Sequence, residues 1–147
     1  MSAVVKLKLK KEPKVPVFAD AISPSSFAGK GLDEIAKLQL LEGNRKVTVG
    51  DLFDIEGPDR LPEGADGIEL QMEGDFSKFR YIGLKMAGGR ITIAGNGGLY
   101  LGQEMKGGSI VVKGDVGLWL GSAMEGGSIE VFGSCLLYTS DAADELD

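Results

Sequence analysis

Histidine is absent from the 147 residues, and cysteine occurs once, at Cys135. Together these absences remove most of the common catalytic chemistry. There can be no intramolecular disulfide, no Cys/His zinc site, no Ser-His-Asp triad and no imidazole base. Carboxylates and lysine can still catalyse, so a self-contained enzyme is disfavoured, not forbidden. Long apolar runs are missing too. The opening MSAVVKLKLKK has no apolar core of signal-peptide length, and no run approaches the roughly 20 apolar residues of a membrane span. A cytoplasmic protein with no membrane partner is expected. Positive charge is short: 16 lysines and arginines against 22 acidic residues give a net charge of −6. A nucleic-acid partner would need a basic stripe strong enough to overcome phosphate repulsion. The one basic cluster is Lys6, Lys8, Lys10, Lys11 and Lys14. It interleaves with Val5, Leu7 and Leu9, so it reads as the wet face of a strand and not as a polyanion site.

A chain of this length holds one compact unit or a short stack of repeats. Residues 1–57 read as a mixed strand and helix flank. In "LDEIAKLQLL", Leu32, Ile35, Ala36 and Leu38 fall on one apolar face of a short helix. "EGNRK" then supplies a Gly-Asn turn before Val47 and Val49, and "GDLFDIEG" closes the segment. Residues 58–67 carry two of the five prolines and read as a turn-rich junction.

What the sequence has in abundance is glycine, 23 residues of it, and from Ile68 to Gly133 much of it recurs at fixed places. Ile91, Ile110 and Ile129 are evenly spaced, and the same 19-residue step relates Gly83, Gly102 and Gly121. It also relates Met86, Met105 and Met124, as well as Gly89, Gly108 and Gly127, and Gly95, Gly114 and Gly133. An earlier copy, Leu70 to Gly74, fits if its turn holds two extra residues around "FSKFRY". Short alternating strands separated by glycine corners at such a period predict a mainly β fold, a right-handed single-stranded β-helix with 19-residue coils. Ile91 with Ile93, Ile110 with Val112, and Ile129 with Val131 should stack inward, leaving Thr92, Val111 and Glu130 outward. Corner glycines are expected to take positive φ. The three methionines, with Leu101 and Leu120, read as a second internal ladder.

Candidate chemistry is thin along this repeat. "GNGG" and "GDVG" recur with the coil, whereas a phosphate loop would appear once, and neither GxGxxG nor GxxxxGK[ST] is present. Asn96 and Asp115, with Asp75 in the earlier copy, follow the corner glycines. The calcium nonapeptide is absent, so these side chains are expected to bond the backbone of their own turns. No carboxylate pair stands out as an acid/base couple. Tyr100, Trp119 and Phe132 look too few and out of register to line a carbohydrate groove. No catalytic, cofactor-binding or metal-binding residue is therefore assigned.

The recurring block in "GLKMAGGRITIAG", "GQEMKGGSIVVKG" and "GSAMEGGSIEVFG" resembles the repeat of the C subunit of formylmethanofuran dehydrogenase. The flank "AISPSSFAGKGLDEIAKL" and "GNRKVTVGDLFDIEG" resembles that protein's amino-terminal region, so the likeness spans about residues 5–133. The repeat alone is similar to the carboxy-terminal β-helical domain of glutamate synthase, which lacks the flank. The resemblance implies a non-catalytic structural subunit of an oxidoreductase complex that reduces carbon dioxide and transfers the formyl group to methanofuran, in methanogenesis. It implies a tungsten- or molybdenum-pterin, iron–sulfur clusters and a binuclear metal site in partner subunits, and none in this chain. The implied partners are a pterin-metal oxidoreductase, an amidohydrolase-like subunit and iron–sulfur subunits. The C subunit of the bacterial formyltransferase/hydrolase complex is a similar alternative. After Gly133 the pattern fails: "SCLLYTSDAADELD" lacks the expected glycines, and residues 134–147 read as an off-pattern tail not native to that family, with a capping segment or a degenerate repeat as the alternatives.

Overall fold

The computed structural model describes residues 3–134; Cys135 and the off-pattern tail beyond it lie outside the described residues. The chain is mainly β and built from two mixed sheets. In β1 (Ala3–Leu9), Val5 and Leu7 are fully buried while Lys6 and Lys8 face solvent, the period-two pattern of a half-buried strand. Next come β2 (Val17–Phe18), α1 (Pro24–Phe27), α2 (Leu32–Ala36), β3 (Gln39–Glu42), β4 (Arg45–Thr48), α3 (Val49–Leu52) and β5 (Phe53–Glu56). The repeats supply β6 (Ile68–Glu73), β7 (Phe79–Arg80), β8 (Arg90–Ala94), β9 (Ser109–Val112) and β10 (Ser128–Val131).

The helices are single turns fixed by their caps. Ser23 Oγ accepts from the Ser26 N–H at 3.0 Å, with Pro24 opening α1. At α3, Thr48 and Asp51 cap each other reciprocally at 3.1 and 2.9 Å. The α2 helix is shorter than its apolar spacing predicts, because Leu38 has left it. The Leu38 carbonyl instead accepts from the Val49 N–H at 2.9 Å, and the chain passes straight into β3. Sheet pairing outcompetes another helical turn. Val49, in turn, opens α3 and does not extend β4.

The larger sheet has the order β10-β9-β8-β6-β1-β5. All its pairings are parallel except β1 with β5. Its register places Leu70, Ile91, Ile110 and Ile129 side by side, and likewise Met72, Ile93, Val112 and Val131. The first step in that row is two residues longer than the next two. The turns between strands are also hydrogen-bonded from repeat to repeat, for example Gly102 N–H to Ile82 C=O at 2.9 Å and Gly121 N–H to Leu101 C=O at 2.8 Å. Backbone groups that the corners strip of strand partners are thus satisfied by the next copy.

The smaller sheet, β4-β3-β2-β7, joins the flank to the first repeat through the parallel pair Val17–Phe79 and Phe18–Arg80. One core runs through both parts, from Val5 to Val116. Where they meet, Phe53, Phe76 and Phe79 pack with centroids 5.0 to 6.0 Å apart.

Two details differ from the sequence reading. Val111 lies on the outer face as assigned, between Thr92 and Glu130 and outside the core cluster, yet is only 5% exposed, a cover that alternation does not indicate. And not every corner glycine is there for its φ. Gly114 has an ordinary φ, but an added Cβ would stand 2.6 Å from the Gly95 carbonyl oxygen, so close approach of successive repeats excludes a side chain.

Candidate interaction surfaces

The repeat positions singled out in the sequence form the interior and the corners. Ile91, Ile93, Ile110 and Val112 are fully buried, as are Met86 and Met105, while Met124, Ile129 and Val131 are partly buried against the same core. None of these side chains carries a titratable or nucleophilic group. Among the described residues, no group of three or more His, Cys, Asp or Glu side chains is placed to hold a metal ion. No helix there is long and apolar enough to cross a membrane.

Along one corner runs a polar ladder. Asn96 Oδ1 accepts from the Asp115 N–H at 2.9 Å, and Asp115 Oδ1 accepts from the Ser134 N–H at 2.7 Å. These acceptors therefore bond the next repeat, not their own turn as the sequence reading expected. The 19-residue step stacks each side chain beneath the backbone it serves. Only Asp75 bonds its own turn, through the Ser77 hydroxyl and the Ser77 N–H. Those donors hold its carboxyl below the usual carboxylate range, the Ser77 hydroxyl being the largest cause and Asn96 Nδ2 adding to it.

A second ladder corrects the sequence reading outright. Tyr81, Tyr100 and Trp119 stand one step apart and stack, with centroids 5.1 and 6.1 Å apart and planes within 21° and 8° of parallel. Phe18 of β2 continues the stack at 6.3 Å from Tyr81, and the Arg80 guanidinium lies 5.4 Å from the Phe18 centroid. Each of the three repeat aromatics takes a positive φ, between 55° and 71°. A non-glycine residue in that region is strained, and here the strain is offset by ring stacking and by corner hydrogen bonds between repeats. Phe132 is the residue out of register; it sits under the Lys113 ammonium at 4.6 Å. The signal was present in the sequence as Tyr81, which has the same spacing to Tyr100 as Tyr100 has to Trp119.

The stack is a poor sugar platform, because face-to-face packing leaves the inner rings no free face for a pyranose. The last described ring of the stack is different. Trp119 is 56% exposed and Leu118 39%, and beside them a groove of about 330 Å³ is lined by Leu99, Val116, Asn96 and Asp115. Contiguous exposed apolar area of this kind marks contact surfaces more often than reaction centres.

A larger cleft, about 620 Å³, opens at the far side of the flank, between residues Lys10 to Val15 and the β3–β4 hairpin. Lys10, Lys11, Lys14 and Arg45 line it, over a floor that includes Val47 and Leu52. Asp51 at its edge is held below the usual carboxylate range, first by the Thr48 N–H and then by the Thr48 hydroxyl.

Comparison with known proteins gives a consistent set. Over 97 residues the chain is 42% identical to the C subunit of the tungsten-containing formylmethanofuran dehydrogenase 2 of Methanothermobacter wolfeii, covering 65% of this chain and 34% of that protein. Over 90 residues it is 44% identical to the C subunit of the molybdenum-containing formylmethanofuran dehydrogenase 1 of Methanothermobacter thermautotrophicus, covering 61% of this chain and 21% of that protein. A chain in the crystal structure of the formyltransferase/hydrolase complex (FhcABCD) from Methylorubrum extorquens, in complex with methylofuran, superposes with a TM-score of 0.77. The identity is 26%, and the match covers 93% of this chain and 51% of that one. No protein-family model matches the chain. The chain thus spans about a third of the length of the first of these relatives.

Proposed function

From the chain's homology to the C subunit of formylmethanofuran dehydrogenase, we propose that it is a non-catalytic structural part of a formylmethanofuran dehydrogenase complex. The observation that carries this is the 42% identity over 97 residues to the Methanothermobacter wolfeii protein. In this reading residues 68–133 are coils of a right-handed β-helix, residues 1–57 are a flank that starts the stack, residues 58–67 are the junction, and residues 134–147 are an off-pattern tail not native to the family. The parallel register in 19-residue steps supports the coil, and the strong right-handed preference of parallel crossovers supports its hand. The glycine, methionine and isoleucine positions of the repeat have a structural role.

The chemistry belongs to partners. Reduction of carbon dioxide, transfer of the formyl group to methanofuran, and the tungsten- or molybdenum-pterin, iron–sulfur and binuclear metal groups that serve them are assigned to the pterin-metal, iron–sulfur and amidohydrolase-like subunits, in the cytoplasm. Among the described residues of this chain, no donor set fits such a group. What this chain contributes is rigidity: strands locked in register present outward side chains at fixed spacing, against which other subunits are positioned. Co-expression with the pterin-metal and amidohydrolase-like subunits from the same locus tests this. The chain is expected to co-migrate with them in size-exclusion chromatography. An active assembly that forms without it, while it elutes alone, would overturn the proposal.

The likeness to a chain of the formyltransferase/hydrolase complex supports a second reading, the C subunit of a bacterial complex of that type. Metal analysis of the co-purified assembly separates the two. Stoichiometric tungsten or molybdenum favours the dehydrogenase, and its absence from an active assembly favours the second reading.

A further inference from the structure

The cleft between the Lys10–Val15 segment and the β3–β4 hairpin is not used by the repeat architecture. We infer that it is a docking site for an acidic, extended peptide segment of a partner protein. This deepens the scaffold reading by naming the chemistry of one contact, and rests on that reading for the existence of the partner.

Charge is the first argument. The flank, residues 1–57, holds nine basic and eight acidic residues, while residues 58–147 hold seven basic and 14 acidic. The net charge of −6 therefore sits on the repeats, the flank is close to neutral, and the cleft gathers four of the flank's nine basic groups. An acidic segment is repelled by the repeats and drawn to these four groups, which orients its approach.

The state of the lining groups is the second. Of the three carboxylates in the cleft, Glu42 is engaged by Arg45 at 2.5 Å, and Asp51 is committed to the Thr48 N–H of the α3 cap at 2.9 Å. Asp51 keeps its charge and lies in the field of Lys10 and Arg45, so Glu12 and Asp51 both face the lysines, and the lining as a whole carries four basic and three acidic groups. Lys10 Nζ donates to the Gly50 carbonyl at 3.0 Å and keeps two further N–H donors. Lys11 and Lys14 have neither an ion pair nor a side-chain hydrogen bond among the described residues. The lysines of β1 differ, because Lys6 and Lys8 stand directly opposite Glu56 and Asp54 of β5. Lys6 and Lys8 make no ion pair either, but each has a carboxylate opposite it in the strand register, which Lys11 and Lys14, outside any strand, do not.

The floor is the third, and it selects a peptide over a phosphate chain. Val47 and Leu52 are buried at the base, and Val15 on the rim is 42% exposed. An aliphatic side chain of a peptide can cover Val15, which a phosphodiester would leave wet. A long nucleic acid would also have to pass the anionic repeats.

The test is a fluorescence-anisotropy titration of the full chain with a short fluorescein-labelled peptide of alternating glutamate and leucine. Its lysine-for-glutamate counterpart and a single-stranded oligonucleotide of equal charge serve as comparisons. The acidic peptide is expected to bind, and Lys11→Glu with Lys14→Glu to weaken it about tenfold. Lys6→Glu with Lys8→Glu should change it by less than about twofold. Equal losses from the two pairs, equal binding of the oligonucleotide, or no binding of the peptide overturns the inference. Co-migration with the catalytic subunits, measured on the same preparations, keeps the two claims apart. A chain that joins the assembly but ignores the peptide sinks the cleft alone, and a chain that binds the peptide but never joins an assembly sinks the scaffold reading alone.

Discussion

Replacing Gly108 by alanine distinguishes two reasons for a glycine. Gly108 lies at φ +84°, and a methyl group there would stand 2.6 Å from the Gly89 carbonyl oxygen and 2.9 Å from the Gly88 carbonyl carbon. The left-handed backbone costs an alanine about 1 kcal/mol. The two shortest approaches are to backbone of the preceding repeat, with Met86 Cε next at 3.0 Å, and backbone cannot swing aside, so the repeats must part locally. That weakens the Ser109 N–H to Gly89 C=O bond, now 3.0 Å, for about another 1–3 kcal/mol. Gly121 isolates the first effect: its φ is +63°, but its methyl group would touch only side-chain ends, Met124 Sδ at 3.3 Å and Ile129 Cδ1 at 3.4 Å. Gly121→Ala should therefore cost about 1 kcal/mol. Gly64 is the control, with nothing within 4 Å and φ −94°, where alanine is neutral or stabilises by about 0.5 kcal/mol. Urea unfolding followed by far-ultraviolet circular dichroism orders the three. With a slope of about 2 kcal/mol per molar, Gly108→Ala lowers the midpoint by about 1–2 M and Gly121→Ala by about 0.5 M. Equal shifts for Gly108 and Gly121 would refute the argument that close approach between repeats, beyond φ, dictates the glycine.

In the aromatic stack, Tyr100→Ala loses two ring contacts and should cost about 2–3 kcal/mol, against about 1 kcal/mol for the half-exposed Trp119→Ala, read as thermal midpoints. Along the aliphatic row, Ile110→Ala, fully buried between two neighbours, should cost about 3–4 kcal/mol, and Ile129→Ala, on the edge strand of the described sheet, no more than about 2, by the same assay. Asp75 has a depressed folded pKa, so its hydrogen bonds to Ser77 stabilise the fold above the ordinary carboxylate pKa, and that contribution disappears as pH falls through the folded value. Asp75→Asn should accordingly be less stable than the parent at pH 7, with the gap closing below about pH 4 in denaturation curves taken across the range.

The 19-residue step was legible because in-register parallel strands put chemically equal residues side by side, so Ile91, Ile110 and Ile129 had to match. The same logic, applied to Tyr81, reveals the aromatic stack, which stays hidden when Tyr100 and Trp119 are grouped with Phe132. The placement of β1 was not legible. Alternation in Val5 to Leu9 shows a half-buried strand, but nothing local says that it lies between β5 and β6 in the repeat's own sheet. Its partners are far along the chain, and pairing at that separation leaves no periodic trace. The 620 Å³ cleft was half legible: the lysines were visible, and the pairing of Glu42 with Arg45 across the β3–β4 turn was not.

A wall that positions other proteins must hold its spacing and its register, and different interactions supply the two. Backbone hydrogen bonds between parallel strands fix the spacing, but a slip of two residues would restore every one of them and keep the inward parity of Ile91 and Ile110. The same slip would separate Asn96 Oδ1 from the Asp115 N–H, slide Tyr100 off Tyr81, and set Cβ-bearing residues where Gly95 and Gly114 nearly touch. The aliphatic row therefore supplies most of the burial, while the amide, aromatic and glycine ladders specify one register. At the flank the stack ends on β5, whose antiparallel run sets Asp54 and Glu56 opposite Lys8 and Lys6. An edge strand carrying charges resists pairing with a stray strand, so growth in that direction is blocked by the same residues that balance β1. Outward side chains on such a stack cannot shift relative to one another without breaking several ladders at once, which is the mechanical property the proposed scaffold role requires.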